Sequence, residues 1–167
     1  GQYIVSVIDS NGCILYDTLN VSQPNTILVN DSINDVSCYG YSDGDISLSI
    51  TGGTGSYALL WANGDTLLYR NQLSSAWYNI SIIDSNNCLY VDSFMVMQPA
   101  QLTNISTLIS PTCFGYSNGS INNLSSGGVS SYSYLWNTGD TSQNLQNIIA
   151  GQYSVIITDF NNCIMYD

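Results

Sequence analysis

The sequence contains no histidine, no lysine and no glutamate, and Arg70 is its single basic side chain. Without histidine, the commonest general base and the usual partner of a serine nucleophile are missing. With no His and no Cys-x-x-Cys spacing, the familiar zinc sites are missing too. The net charge of −11 makes a surface that repels nucleic acid and anionic lipid, so neither nucleic-acid binding nor membrane insertion is expected. No apolar run approaches the ~18–20 residues of a membrane helix, and helical periodicity is absent throughout. Acidity of this kind can signal disorder. Here 13 Tyr and 3 Trp, with abundant Ile, Leu and Val, argue for a folded core.

The chain repeats itself every 75 residues without a gap. Cys13, Cys88 and Cys163 keep that spacing, as do Cys38 and Cys113, Trp61 and Trp136, and Gln23-Pro24 and Gln98-Pro99. A fixed period of this length is the mark of a tandem array. The frame predicts three pieces: 1–24 as the C-terminal part of one repeat, 25–99 as a complete repeat, and 100–167 as a repeat lacking its last few residues. Both ends fall in mid-strand in this frame, so the sequence reads as a slice of a longer array.

Period-two alternation predicts strands. Tyr78, Ile80 and Ile82 share one face, repeated by Tyr3, Val5, Val7 and by Tyr153, Val155, Ile157. Ile46, Leu48 and Ile50 alternate likewise, and Tyr57, Leu59 and Trp61 form a further face. Gly, Asn, Asp and Ser clusters separate these runs. The expected fold is all-β: tandem immunoglobulin-like sandwiches of six or seven strands each, with Trp61 and Trp136 in the cores. Ile121-Asn122-Asn123-Leu124 breaks the alternation of its counterpart, so the later repeat is expected to be less regular.

The period also sorts the cysteines two to a repeat. It suggests Cys38 with Cys88 and Cys113 with Cys163, with the partner of Cys13 outside the chain. These bridges would staple loops near a junction between repeats rather than cross the core. They imply an oxidising compartment outside the cytoplasm.

These features resemble the SprB repeat family, found in very large cell-surface adhesins of gliding and related Bacteroidetes. The marks are Cys-x-Gly-x-x-x-Gly-x-Ile (Cys38–Ile46, Cys113–Ile121), the Gly-Gly-x-x-x-Tyr…Trp segment (Gly52–Trp61, Gly127–Trp136), and Gly-x-Tyr-x-Val-x-x-x-Asp-x-Asn-x-Cys (Gly1–Cys13, Gly151–Cys163). Ala76-Trp77 departs from the last pattern. The chain is also similar to polycystic-kidney-disease (PKD) domains. The resemblance implies type IX secretion, extracellular display, and a structural or adhesive role in attachment and gliding motility, with no active site. The expected partners are neighbouring repeats, laterally associated copies and surface glycans.

Other candidates are weighed against ordinary turns. Gly40–Gly44 and Gly115–Gly119 match the Gly-x-Ser-x-Gly nucleophile pattern, but without a His base or a helix they read as turns. Gly52-Gly53 reads as a strand connection with positive φ. No organic cofactor is expected. Calcium is the one candidate cofactor, drawing on Asp43, Asp45, Asp65, Asp84, Asp140 and Asp159; Asp in turns is the competing reading. Trp77, whose counterparts are Gln2 and Gln152, is the candidate for stacking on a glycan. Thr18, Ser32 and Thr66 fit an Asp-Ser/Thr-aliphatic glycosylation pattern.

Overall fold

The computed structural model describes residues 1–167 and is built of strands without helices. A two-stranded hairpin, β1 (Gln2–Ile8) and β2 (Ile14–Asn20), comes first. The next six strands are β3 (Leu28–Asn34), β4 (Gly44–Thr51), β5 (Tyr57–Trp61), β6 (Tyr69–Leu73), β7 (Ala76–Asp84) and β8 (Leu89–Val96). They form two antiparallel sheets, β3-β4-β6 and β5-β7-β8. Six more follow: β9 (Thr103–Ile109), β10 (Gly119–Ser126), β11 (Ser133–Trp136), β12 (Leu145–Ile148), β13 (Val155–Thr158) and β14 (Ile164–Tyr166). Their sheets, β12-β10-β9 and β11-β13-β14, repeat the same order.

Each pair of sheets closes over its own core. In the first, Ile46 and Leu48 of β4 and Leu73 of β6 meet Trp61, Ile80, Ile82, Phe94 and Val96 of the facing sheet. Alternation explains the selection: along β4 the buried residues are Gly44, Ile46 and Leu48, with Ser47 and Ser49 outside. The second core gathers Ile121, Tyr134, Trp136, Leu145, Val155 and Ile157. It is smaller for two reasons. Asn123 occupies the position of Leu48, and the counterparts of Phe94 and Val96 lie past Asp167. Asn123 is buried but fully engaged, its Nδ2 donating to Gln143 O and its Oδ1 accepting from Ser106 and Asn104. A polar network thus fills the place of an apolar contact, which satisfies the cost of burying an amide.

The repeated aromatics carry repeated polar anchors. Trp61 Nε1 donates to Leu67 O at 2.9 Å and Trp136 Nε1 to Ser142 O at 2.8 Å. Tyr57 and Tyr132 hydroxyls donate to Gly52 O and Gly127 O, and Tyr78 and Tyr153 to Ser74 O and Ile149 O. Trp61 and Trp136 are buried and need such partners; the four tyrosines are half-buried. Arg70 is largely buried, with Cζ 4.8 Å from the Trp61 ring centre and 5.1 Å from that of Tyr78, and Nε 3.3 Å from Asp65. Its counterpart Leu145 fills the same place in the second core as a plain apolar side chain.

The hairpin β1–β2 corresponds to β7–β8 but has no sheet facing it. Tyr3, Val5 and Val7, counterparts of Tyr78, Ile80 and Ile82, are all exposed. No strand precedes the hairpin in this chain to cover them.

Gly52 and Gly127 set the connection from β4 to β5 and from β10 to β11, with φ of 76° at each. A Cβ at either would stand 1.9 Å from a backbone oxygen, Thr26 O or Gln101 O. Gly64 shares the left-handed conformation at φ 88° but faces open space. Gly52→Ala is expected to destabilise the fold by roughly 2–4 kcal/mol, and Gly64→Ala by only ~1 kcal/mol. Denaturant unfolding of the two variants checks this; equal losses would show that the Thr26 clash is relieved.

Candidate functional site at the junction of the two cores

The structure joins Cys38 to Cys163, across a sequence separation of 125 residues, with Cα atoms 5.7 Å apart. Cys13, Cys88 and Cys113 carry free thiols. This overturns the pairing of Cys38 with Cys88 and of Cys113 with Cys163. The physical reason is the geometry of the sandwich. Cys38 sits at the C-terminal pole of its repeat, where Val36 N donates to Met97 O, Met97 N to Asp35 Oδ1, and Gly40 N to Gln98 Oε1. Cys88 immediately precedes β8 at the other pole, next to Gly53 and Asn25. The eight residues of β8 hold the two roughly 25 Å apart, whereas a disulfide needs Cα atoms within about 7 Å. The observed bridge joins loops of two repeats rather than of one: Cys38 lies between β3 and β4, and Cys163 in the turn between β13 and β14.

The junction is built from side chains that recur with the repeat. Asn161 Nδ2 donates to Ser37 O at 2.9 Å, tying the second core's turn to the first core's loop. Gln98, of the Gln-Pro pair, fixes that loop by accepting from Gly40 N at 2.8 Å. Gly40 at φ 78° turns the chain after Cys38, and Asp43 holds the loop's start by accepting from Ser37 N and Oγ. Val129 and Phe160 face Val36 and Met97 across a shallow groove at the seam. Neither Asn161 nor Gln98 was among the sequence candidates. Their recurrence as Asn11, Asn86, Asn161 and as Gln23, Gln98 was the available signal.

The candidate calcium carboxylates are not brought together: no group of three or more acidic, Cys or His side chains converges. Each is engaged locally instead, five in turns or loops and Asp45 across β3–β4. Asp84 Oδ1 accepts from Asn86 N and Cys88 N, and its Oδ2 from Thr54 N. Asp159 repeats this with Asn161 N, Cys163 N and Val129 N. Asp9 makes the first two contacts in the hairpin turn. Asp140 accepts from Ser142, Asp65 from Leu67 N, and Asp45 from Asn34 Nδ2. Donated hydrogen bonds stabilise the charged form. Those from Cys88 N, Thr54 N and Asn86 N hold the Asp84 carboxyl below its ordinary range despite its burial. The same charge pushes the Cys88 thiol up.

Trp77 is exposed on β7, beside a hollow that Arg70 and Asn63 also line. Thr18 on β2, Ser32 on β3 and Thr66 between β5 and β6 are all exposed. The Gly-x-Ser-x-Gly segments run from the turn after Cys38 or Cys113 into the first residue of β4 or β10.

Carboxylates depressed in the fold stabilise it above their unfolded pKa of about 3.9 and lose that contribution as pH falls through the folded value. Asp9, Asp43, Asp84 and Asp140 are all depressed. Stability is therefore expected to be flat from neutral pH to about 4 and to fall below it. Asp84→Ala should lower the melting temperature at pH 7 and reduce the further loss at pH 3, which thermal melts at the two pH values measure.

No curated protein matches the chain. The family model of the SprB repeat matches it twice, at residues 30–66 and 105–141. The matched spans begin at the same place in β3 and β9 and run through the cysteine loop to the turn after the core tryptophan. Residues 30–66 and 105–141 are therefore each matched as an SprB repeat, and the chain carries two copies of that family's repeat.

Proposed function

We propose that this chain is a load-bearing segment of a large extracellular adhesin or surface filament, in which sandwiches follow one another along the direction of pull. SprB repeats are structural repeats of cell-surface proteins. The observation that carries the mechanical reading is the bond between Cys38 and Cys163, which fastens one core to the next rather than closing a single core. In the chain-entropy view, closing 125 residues contributes about 5 kcal/mol, and it shields β4 through β13 from extension, with only β3 and β14 of the two sandwiches outside the loop. A disulfide of this kind fits an oxidising exterior. Attachment and gliding motility, with export through the type IX system, are the biological setting that the family suggests. A second reading, glycan binding, is favoured by one observation: Trp77 stands exposed beside Arg70 and Asn63, the arrangement in which a ring stacks on a sugar. A Trp77→Ala variant that kept every glycan-array signal would remove it.

The mechanical reading is tested by pulling the chain from its two ends. With the bridge intact, residues between Cys38 and Cys163 cannot extend. Reduction is expected to add 125 residues, about 440 Å at ~3.5 Å per residue, to the unfolded length. An unchanged length on reduction would contradict the reading.

A further inference from the structure

The two free cysteines at the outer poles are not leftovers of unrelated chemistry. We propose that the Cys113 loop and the Cys88 turn are the two halves of the same inter-repeat disulfide, so that in an array each repeat is bonded both to the one before it and to the one after it. The inference rests on the bridge between the two cores and not on any surface role.

The loop half is already in its bonded shape. Tyr116 N donates to Cys113 O at 3.1 Å, as Tyr41 N does to Cys38 O, and φ is 79° at Gly115 against 78° at Gly40. Asn118 braces the loop by accepting from Thr112 N, where Asp43 accepts from Ser37 N. Phe114, counterpart of the half-covered Tyr39, has no neighbour at all and is fully exposed beside the free thiol.

The seat is equally complete. Around Cys163, the Cys38–Tyr41 loop lies against residues 100–102, Gly128 and 163–165 in a hollow of 190 Å³. One period earlier, residues 25–27, Gly53 and 88–90 line the corresponding hollow, which is open at 370 Å³ and holds no loop. The turns match as well. Cys88 N and Cys163 N each donate to the preceding Asp Oδ1 at 2.9 Å, with φ of 61° at Asn87 and 64° at Asn162. Asn86 is the counterpart of Asn161, the side chain that grips Ser37 O in the closed junction. The occupant that fits the open seat is therefore a Cys-aromatic-Gly-Tyr loop of an adjoining repeat.

Forming the bond removes one proton from each thiol and joins the two sulfurs. The two electrons pass to the disulfide of an oxidant, such as an oxidised dithiol oxidoreductase or oxidised glutathione, which leaves as two thiols. Bonds spanning 125 residues and starting every 75 overlap, so they form two interleaved tracks along the array. Between one bond and the next on a track lies a single link the length of Cys88 to Cys113, 25 residues. Only that link could extend under load in every two repeats.

The test is a chain with residues 25–99 duplicated in place, carrying Cys88→Ser in the first copy, folded in a mixture of oxidised and reduced glutathione and mapped by mass spectrometry without reduction. The expected result is two linked pairs, Cys38–Cys163 and Cys38–Cys88. Since the second copy's Cys38 is then held by Cys163, the other pair joins the first copy to the second. A Cys38–Cys163 pair with an alkylatable Cys88 would show that the seat does not recruit a loop and would overturn the proposal. A Cys113–Cys163 pair would overturn it together with the observed bridge. If the duplicated chain fails to fold, the same mapping is applied to a chain in which residues 93–99 and then 25–99 are added after Asp167, which keeps the period and the 125-residue spacing, and Cys113 is expected to pair with the added Cys88.

Discussion

Strand length is the constraint on which the rest depends. A strand of eight residues places the two cysteines of one repeat at opposite poles of its sandwich, too far apart to meet. The one bond formed, Cys38–Cys163, accordingly joins two repeats. The poles are built for it: one carries a glycine-turned loop held by Gln98, the other an aspartate-centred turn whose Asn161 reaches across the seam. A small sandwich buries little surface, and its second copy here buries still less, with Asn123 where Leu48 would be. The covalent tie compensates at the level of the array rather than of the repeat.

The aspartates serve this arrangement through their turns and loops. Three copies of one turn, at Asp9, Asp84 and Asp159, use the carboxylate to gather the backbone N–H groups that position the cysteine. Asp or Asn also stands at the end of the cysteine loop, as Asp43 and Asn118, where both accept from the backbone at the loop's start. That exchange keeps the hydrogen-bond acceptor and removes the negative charge. The chain's acidity is in large part a by-product of its turn chemistry, left unbalanced because Arg70 alone is basic.

Much of this was legible in the sequence. Alternation in Ile46–Ile50 and Tyr78–Ile82 marks the core faces, Gly52-Gly53 marks a turn with positive φ, and the recurring Trp61 and Trp136 are core residues. The disulfide partner was not legible, for an arithmetical reason: separations of 50 and 125 residues are the same position within a 75-residue period. Periodicity says which two kinds of cysteine bond and is blind to which repeat supplies each; only the three-dimensional separation of the poles decides. The shortening of β13 relative to β7 was also hidden, because β7 pairs with Ser93–Val96 of β8, which have no counterpart within these 167 residues.

The central claim, that the disulfide joins one repeat to the next, is tested most directly by counting thiols. The unreduced 167-residue chain, unfolded in denaturant with iodoacetamide and weighed intact, should gain three carbamidomethyl groups, on Cys13, Cys88 and Cys113. A gain of one group, on Cys13 alone, would mean that each repeat closes its own bridge and would contradict the account.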